Sequence, residues 1–283
     1  MRALPDGRLL YLPERSGLPL QRHHGHRGGF VEVEKIKPKV AFFDISCCEG
    51  CQLQLLNIED TLLDILDQVE IVNFREIASE NGQDYDVAFL EGSVTNEHDA
   101  QRVLEIREKA KILVAYGACA TIGGINGVKN TRPLDEVRRE VYGDLASCFE
   151  TGPNRSIDQV VPVDYYVNGC PIYPPELLKV FTRILRGLPY SVPDYAVCVE
   201  CKLRENVCLY EKGQVCLGPI TRAGCNAWCP SWGNTCYGCR GILTNPAEQG
   251  QLDVFKRYGV SDAVIFDKMT LYYKCQKEGA RGR

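Results

Sequence analysis

The sequence predicts an α/β chain: a doubly wound parallel sheet, followed by a small irregular region rich in cysteine. Three observations carry this. From Lys39 onward, short apolar runs alternate with amphipathic helical patterns, the signature of parallel α/β architecture. Four cysteines scattered through that stretch each follow a strand, so they share one edge of the sheet. Eight of the 15 cysteines then crowd residues 198–239, where no periodic pattern is present. At 283 residues the chain has room for one large or two modest domains, and we divide it at 1–35, 36–190 and 191–283.

Residues 1–35 mix Pro, Gly, Arg and His without a period and read as an extension, with His23, His24 and His26 in a basic tail. The first strand is VAFFDIS (40–46). A helix is expected over 52–67, where Leu53, Leu55, Leu56, Leu62, Leu63, Ile65 and Leu66 supply the apolar face. Strands VEIVNF (69–74) and DVAFLEG (86–92) come next, then a helix over 97–110 and strand KILVAYG (111–117). The last strand is VDYYVNG (163–169). A helix over 174–185 closes the domain, with Pro174 and Pro175 suited to a first turn because that turn needs no backbone N–H partner.

The cysteines form three groups of four: Cys48, Cys51, Cys119 and Cys170; Cys198, Cys201, Cys208 and Cys216; Cys225, Cys229, Cys236 and Cys239. No secretory or twin-arginine signal opens the chain, so a cytoplasmic location is expected, and reducing surroundings disfavour disulfides. Structural zinc stays open, because paired C-x2-C is also the spacing of a zinc ribbon. Iron-sulfur clusters are favoured, since the first group sits in a domain able to bury a core unaided and three all-thiolate sites suit an electron relay.

Other signals are weaker. Acidic residues number 37 against 33 basic ones, a net charge of −4, which leaves no basic footprint for nucleic acid. No apolar run is long enough to span a membrane. The stretch IGGINGVKN (122–130) lacks both phosphate-loop and dinucleotide fingerprints and reads as a structural turn. Glu91 ends a strand on the cysteine-bearing edge, either as a helix cap or as a carboxylate beside a metal site.

Taken together, C-E-G-C at 48–51, EGSV at 91–94, GACATIGGI at 117–125 and GCPIYPPELL at 169–178 resemble the small subunit of nickel-iron hydrogenases. The segments CLYEKGQVCLGP (208–219) and CNAWCPSWGNTCYGC (225–239) resemble the distal and medial cluster regions of that family. The likeness runs in order over roughly 38–245 and is far more specific than any single C-x2-C.

The resemblance implies a flavodoxin-like sheet followed by a small irregular iron-sulfur cluster domain, whose fold the metals largely hold together. It implies three 4Fe-4S clusters: a proximal one on Cys48, Cys51, Cys119 and Cys170, a medial one on Cys225, Cys229, Cys236 and Cys239, and a distal one on Cys198, Cys201, Cys208 and Cys216. The implied partners are a nickel-iron large subunit, which carries the hydrogen-activating site, and an electron-acceptor subunit bearing flavin or iron-sulfur groups. Cys198 stands where periplasmic members begin the distal site with histidine, and Cys229 supplies a fourth medial thiolate that they lack; both features resemble the cytoplasmic branch. An alternative resemblance is to the cluster subunit of respiratory complex I, in which Cys47 would join Cys48 as a ligand. The eight C-terminal thiols argue against it. Cys148 and Cys275 are expected to be buried or spare thiols, and Trp228 and Trp232 to shield the clusters from water.

Overall fold

A computed structural model describes residues 37–273, except 59, 60, 62, 64, 66 and 80. The N-terminal histidines and Cys275 lie outside the described residues. Five parallel strands, β1 (Lys39–Asp44), β2 (Glu70–Phe74), β3 (Val87–Glu91), β4 (Ile112–Tyr116) and β5 (Tyr165–Val167), form one sheet in the order β2-β1-β3-β4-β5. This is the flavodoxin-like order, whose switch point lies between β1 and β3. The helices with described bounds are α1 (Gly50–Leu56), α2 (Glu97–Lys109), α3 (Ala118–Ile122), α4 (Leu134–Tyr142), α5 (Pro174–Leu185), α6 (Val197–Leu203), α7 (Trp228–Ser231), α8 (Glu248–Arg257) and α9 (Asp262–Tyr273).

Alternation along the strands separates two apolar layers, because successive side chains point to opposite faces. Val40, Phe42, Val87, Phe89, Val114, Tyr116 and Val167 meet Leu55 of α1 and Leu177, Val180, Phe181 and Ile184 of α5. The Phe42 and Phe89 rings stack at 4.9 Å, and Phe89 stacks on Phe181 at 5.6 Å. Each such pair adds about 0.5–1.5 kcal/mol beyond area burial. On the other face Ala41, Phe43, Ala88, Leu90, Leu113 and Ala115 meet Ala100, Val103 and Ile106 of α2. The sheet is therefore covered on both sides, as the sequence predicts.

Two elements depart from expectation. The helix expected over 52–67 breaks: α1 ends at Leu56, where the Asn57 N–H bonds back to Leu53 and Leu55 oxygens, and helical backbone is described again at Thr61, Leu63 and Ile65. Asn is a poor helix former, which allows the break. β5 is shorter than the 163–169 run, because Asp164 turns its carboxylate onto the Leu113 N–H and Gly169 leaves extended geometry at φ +142°. α5 and α2 fall as predicted, α2 capped by Asn96 accepting from the Asp99 N–H.

The glycine-rich stretch is a structural turn. Ile125–Thr131 forms a 3-10 segment from which Asn126 donates to the Ser46 carbonyl and Ser93 hydroxyl, pinning the loop after β1. The C-terminal region contributes more than its thiols. It has an apolar cluster of its own, Val197, Tyr210, Leu217, Ile220 and the fully buried Phe255 of α8. α9 then returns to the sheet domain, where Tyr272 packs on Ala118 and Ile122. Among the described residues no helix is long and apolar enough to cross a membrane.

Candidate metal centres

Cys48 and Cys51 follow β1, Cys119 opens α3 after β4, and Cys170 follows β5, so the sheet delivers all four to its C-terminal edge. Two backbone bonds weld the last two loops there: the Gly117 N–H donates to the Val167 carbonyl at 2.8 Å and the Ala118 N–H to the Gly169 carbonyl at 2.6 Å. Glu91, buried at the end of β3, caps α1 by accepting from the Cys51 and Gln52 N–H groups at 3.1 and 3.0 Å. The cap reading holds, and the carboxylate also lies near the Cys51 and Cys47 thiols. Burial raises the Glu91 pKa above the usual carboxylate value despite those bonds, which act to lower it.

The thiols of this edge feel one another. Burial, then Cys170, Cys48 and Cys47, push the Cys119 pKa up to about 12. Cys51 is pushed far up by burial and Glu91, and Cys170 up by burial with Cys48 and Glu91 behind it. Cys47 is a fifth thiol at this edge, raised to about 12 by burial, Glu91, Asp44 and Cys48.

The C-terminal thiols also act on one another. Burial and then Cys216, Cys201 and Cys208 raise Cys198 to about 12, and Gly218 leaves room beside Cys198 and Cys216, whose sulfurs would lie 3.3 and 3.4 Å from a Cβ there. In the other group, burial and then Cys225 raise Cys239 to about 12, Cys239 raises Cys236, and Cys229 raises Cys225. Among the described residues no three His, Cys, Asp or Glu side chains close around a single point.

Several features fit a thiolate-held cluster. Backbone N–H groups turn toward sulfur in each quartet: Ile172 toward Cys51, Gly218 and Cys236 toward Cys216, Trp228 toward Cys225, Gly238 toward Cys236 and Cys170 toward Cys239. Such bonds stabilise sulfur carrying negative charge and tune cluster potential. Glycines clear the space: a Cβ on Gly117 would lie 2.5 Å from the Cys51 sulfur, and one on Gly124 2.7 Å from that of Cys119. Burial and neighbouring thiols hold Cys119, Cys198 and Cys239 toward the protonated form, and a cationic iron-sulfur core is a counter-charge that fits such a donor set. All 14 described cysteines are free thiols.

Three side chains near these sites escaped sequence reasoning. Tyr272 comes from α9 to donate its hydroxyl to the Cys170 sulfur, and no motif announces it. Arg240 and Glu176 form a buried ion pair beside the Cys225 group, although Glu176 stands within GCPIYPPELL. Burial alone would lower the Arg240 pKa, but Glu176 raises it, so the guanidinium stays charged. The expected shielding by tryptophan is corrected. Trp228 and Trp232 are 54% and 72% exposed and pack on each other at 6.2 Å, with Tyr173 behind Trp228, so they line the surface and are themselves open to water. Cys148 is exposed, a spare thiol rather than a buried one.

Known proteins share this arrangement of sequence. Sulfhydrogenase 2 subunit delta of Pyrococcus furiosus is 37% identical over 221 residues, covering 77% of this chain and 92% of that protein. A subunit of the F420-non-reducing hydrogenase vhu of Methanocaldococcus jannaschii is 35% identical over 267 residues, covering 82% and 92%. The chain belongs to the hydrogenase small, electron-transfer subunits. Members of this family are subunits of multi-subunit oxidoreductases, and the group they imply here is the iron-sulfur cluster. Residues 48–184 of this hydrogenase small subunit also match the family described as NADH ubiquinone oxidoreductase, 20 Kd subunit. That match spans the first quartet and stops short of the eight C-terminal thiols. Its fold is that of the NiFeSe hydrogenase from Desulfovibrio vulgaris Hildenborough, at 18% identity and TM-score 0.52 over 72% of this chain and 93% of that one. The actinobacterial-type NiFe-hydrogenase from Ralstonia eutropha H16 gives TM-score 0.51, also at 18% identity, over 75% and 81%.

Proposed function

We propose that this hydrogenase small subunit holds three 4Fe-4S clusters and conducts electrons between a nickel-iron large subunit and an acceptor subunit bearing flavin or iron-sulfur groups. The proximal cluster takes Cys48, Cys51, Cys119 and Cys170; the medial, Cys225, Cys229, Cys236 and Cys239; the distal, Cys198, Cys201, Cys208 and Cys216. The observation that carries this reading is a pair of links between quartets. The Cys170 N–H bonds the Cys239 sulfur, and the Cys236 N–H bonds the Cys216 sulfur at 3.3 Å. A ligand of one site therefore donates to a ligand of the next, which supports the order proximal, medial, distal.

When bound, the clusters supply one-electron redox capacity; the chain positions and tunes them. Thiolate at Cys198 and Cys229 adds negative charge and lowers the potential of those sites, which suits a low-potential carrier. Residues 36–190 serve as the proximal domain and 191–283 as the medial and distal domain, behind an N-terminal extension. We place the complex in the cytoplasm, where thiols of the kind described here persist.

Anaerobic purification with metal and sulfide analysis tests the reading. About twelve irons and twelve sulfides per chain are expected, since three all-thiolate cubanes require them, with nickel confined to a copurifying large chain. Two or three zincs without sulfide would overturn it. A second reading, a quinone-linked module like complex I, draws on the family match over 48–184 and on the fifth thiol, Cys47. It predicts about four irons per chain instead of twelve.

A further inference from the structure

Between the proximal and medial sites lies a polar knot that motif reading did not assign. The Arg240 side chain is 1% exposed and that of Glu176 3%, and the two form a bidentate pair with contacts of 2.6 and 2.7 Å. Two further Arg240 donors are used: Nε reaches the Ala223 carbonyl at 2.7 Å, and one terminal nitrogen the Asn168 carbonyl at 2.5 Å. Asn168 returns a bond to the Arg240 carbonyl at 2.7 Å, and the Tyr190 hydroxyl donates to Glu176 at 2.5 Å. Gly224, at φ +114°, passes so close to the guanidinium that a Cβ there would collide with it.

What matters is where these partners sit. Arg240 directly follows Cys239, Ala223 lies two residues before Cys225, and Asn168 lies two residues before Cys170. One guanidinium thus grips the segments that present two medial thiols and one proximal thiol. Its positive end acts on Cys225 and Cys239, opposing the effect of burial on both, while Glu176 neutralises it from the α5 side. Arg222, the other buried cation nearby, is paired with Asp194 instead.

We propose that the Arg240–Glu176 pair is a positioning device that locks the medial site against the proximal one and sets the medial potential by holding a half-neutralised cation beside its thiolates. This rests on the three-cluster reading above. A fixed charge in a low-dielectric pocket acts with opposite sign depending on which partner is removed. Arg240→Gln leaves a buried carboxylate and disfavours the reduced medial cluster; Glu176→Gln leaves an uncompensated cation and favours it. Loss of packing alone has no such sign.

The test is a redox titration of the purified complex, followed by EPR, on wild type, Arg240→Gln, Glu176→Gln and the double variant. We expect the reduced-to-oxidised ratio of the medial cluster at fixed potential to fall at least tenfold in Arg240→Gln and rise at least tenfold in Glu176→Gln. Each tenfold change is about 59 mV for a one-electron couple. The double variant should lie between them, with the proximal and distal signals unmoved. Shifts of the same sign in both single variants, unchanged midpoints, or equal loss of all three signals would overturn the proposal. If the single variants fail to load the medial site, the double variant decides: a medial midpoint equal to that of wild type supports charge compensation, and its loss overturns the proposal. A wild-type complex without a medial signal would sink the three-cluster reading itself, a separate result.

Discussion

At Gly117 the chain leaves β4 with φ +88°, a conformation that L side chains rarely adopt, and passes against the Cys51 sulfur. A methyl group there meets both a backbone penalty and the Cys51 thiol. Gly117→Ala is expected to abolish proximal loading, lowering iron by about four per chain while the medial and distal EPR signals persist. Full iron content would show that Cys51 is not confined as described. Glu91 illustrates a second residue-level economy: one buried carboxylate satisfies two orphan N–H groups at the start of α1 and lies among the first thiols. Its position was legible in the sequence as a strand end, but its two bonds depend on α1 and β3 being brought together.

Among the elements, α4 stands apart because none of its residues is buried. Val141 on α4 is 66% exposed, and Leu145 and Phe149 beyond it are 62% and 44% exposed. The Tyr142 and Phe149 rings stack at 4.2 Å on the outside of the molecule. This surface adjoins Ile125 and Asn126, the latter pinned to Ser46 next to the first thiols. An amphipathic helix with no buried residue, close to the first thiols, suits the large subunit. Val141→Asp combined with Leu145→Asp should reduce copurifying nickel at least tenfold, as loss of apolar interface anchors does, while the iron of this chain stays constant. Unchanged nickel would place the large subunit elsewhere. Neither α4 nor the return of α9 was read from the sequence. Their patterns resemble ordinary surface helices, and what covers them lies outside their own residues.

For the whole molecule, the two regions depend on metal to different degrees. The sheet has apolar layers on both faces, whereas residues 198–239 have one modest cluster and long irregular segments. Metal removal under reducing conditions should leave hydrogen exchange slow in β1, β3 and β4 and make it fast across 198–239, because structural metal binding is folding free energy. Uniform protection would contradict this. The metal-free fold is also expected to be sensitive to alkali. Cys47 and Cys119, at the edge of the sheet that persists, have pKa values raised from 9.0 to about 12, so the stability they contribute is fully present below pH 9 and is lost as pH rises through about 12. Urea midpoints measured from pH 8 upward should fall across that window in the metal-free chain.

By itself the sequence determined the α/β class, all five strands, the edge to which Cys48, Cys51, Cys119 and Cys170 are delivered, and the crowding of eight further thiols into residues 198–239. These are short-range facts, written in apolar runs, turn residues and cysteine spacing, and each is legible within a few residues. Only the tertiary structure decided that Asn57 breaks the first helix, that both tryptophans face outward, that Tyr272 returns to Cys170, and that Arg240 finds Glu176 across 64 residues. For the last two the physical reason is the same. Which polar group a buried charge or thiol meets depends on packing between segments far apart in the chain, and no local pattern encodes the partner.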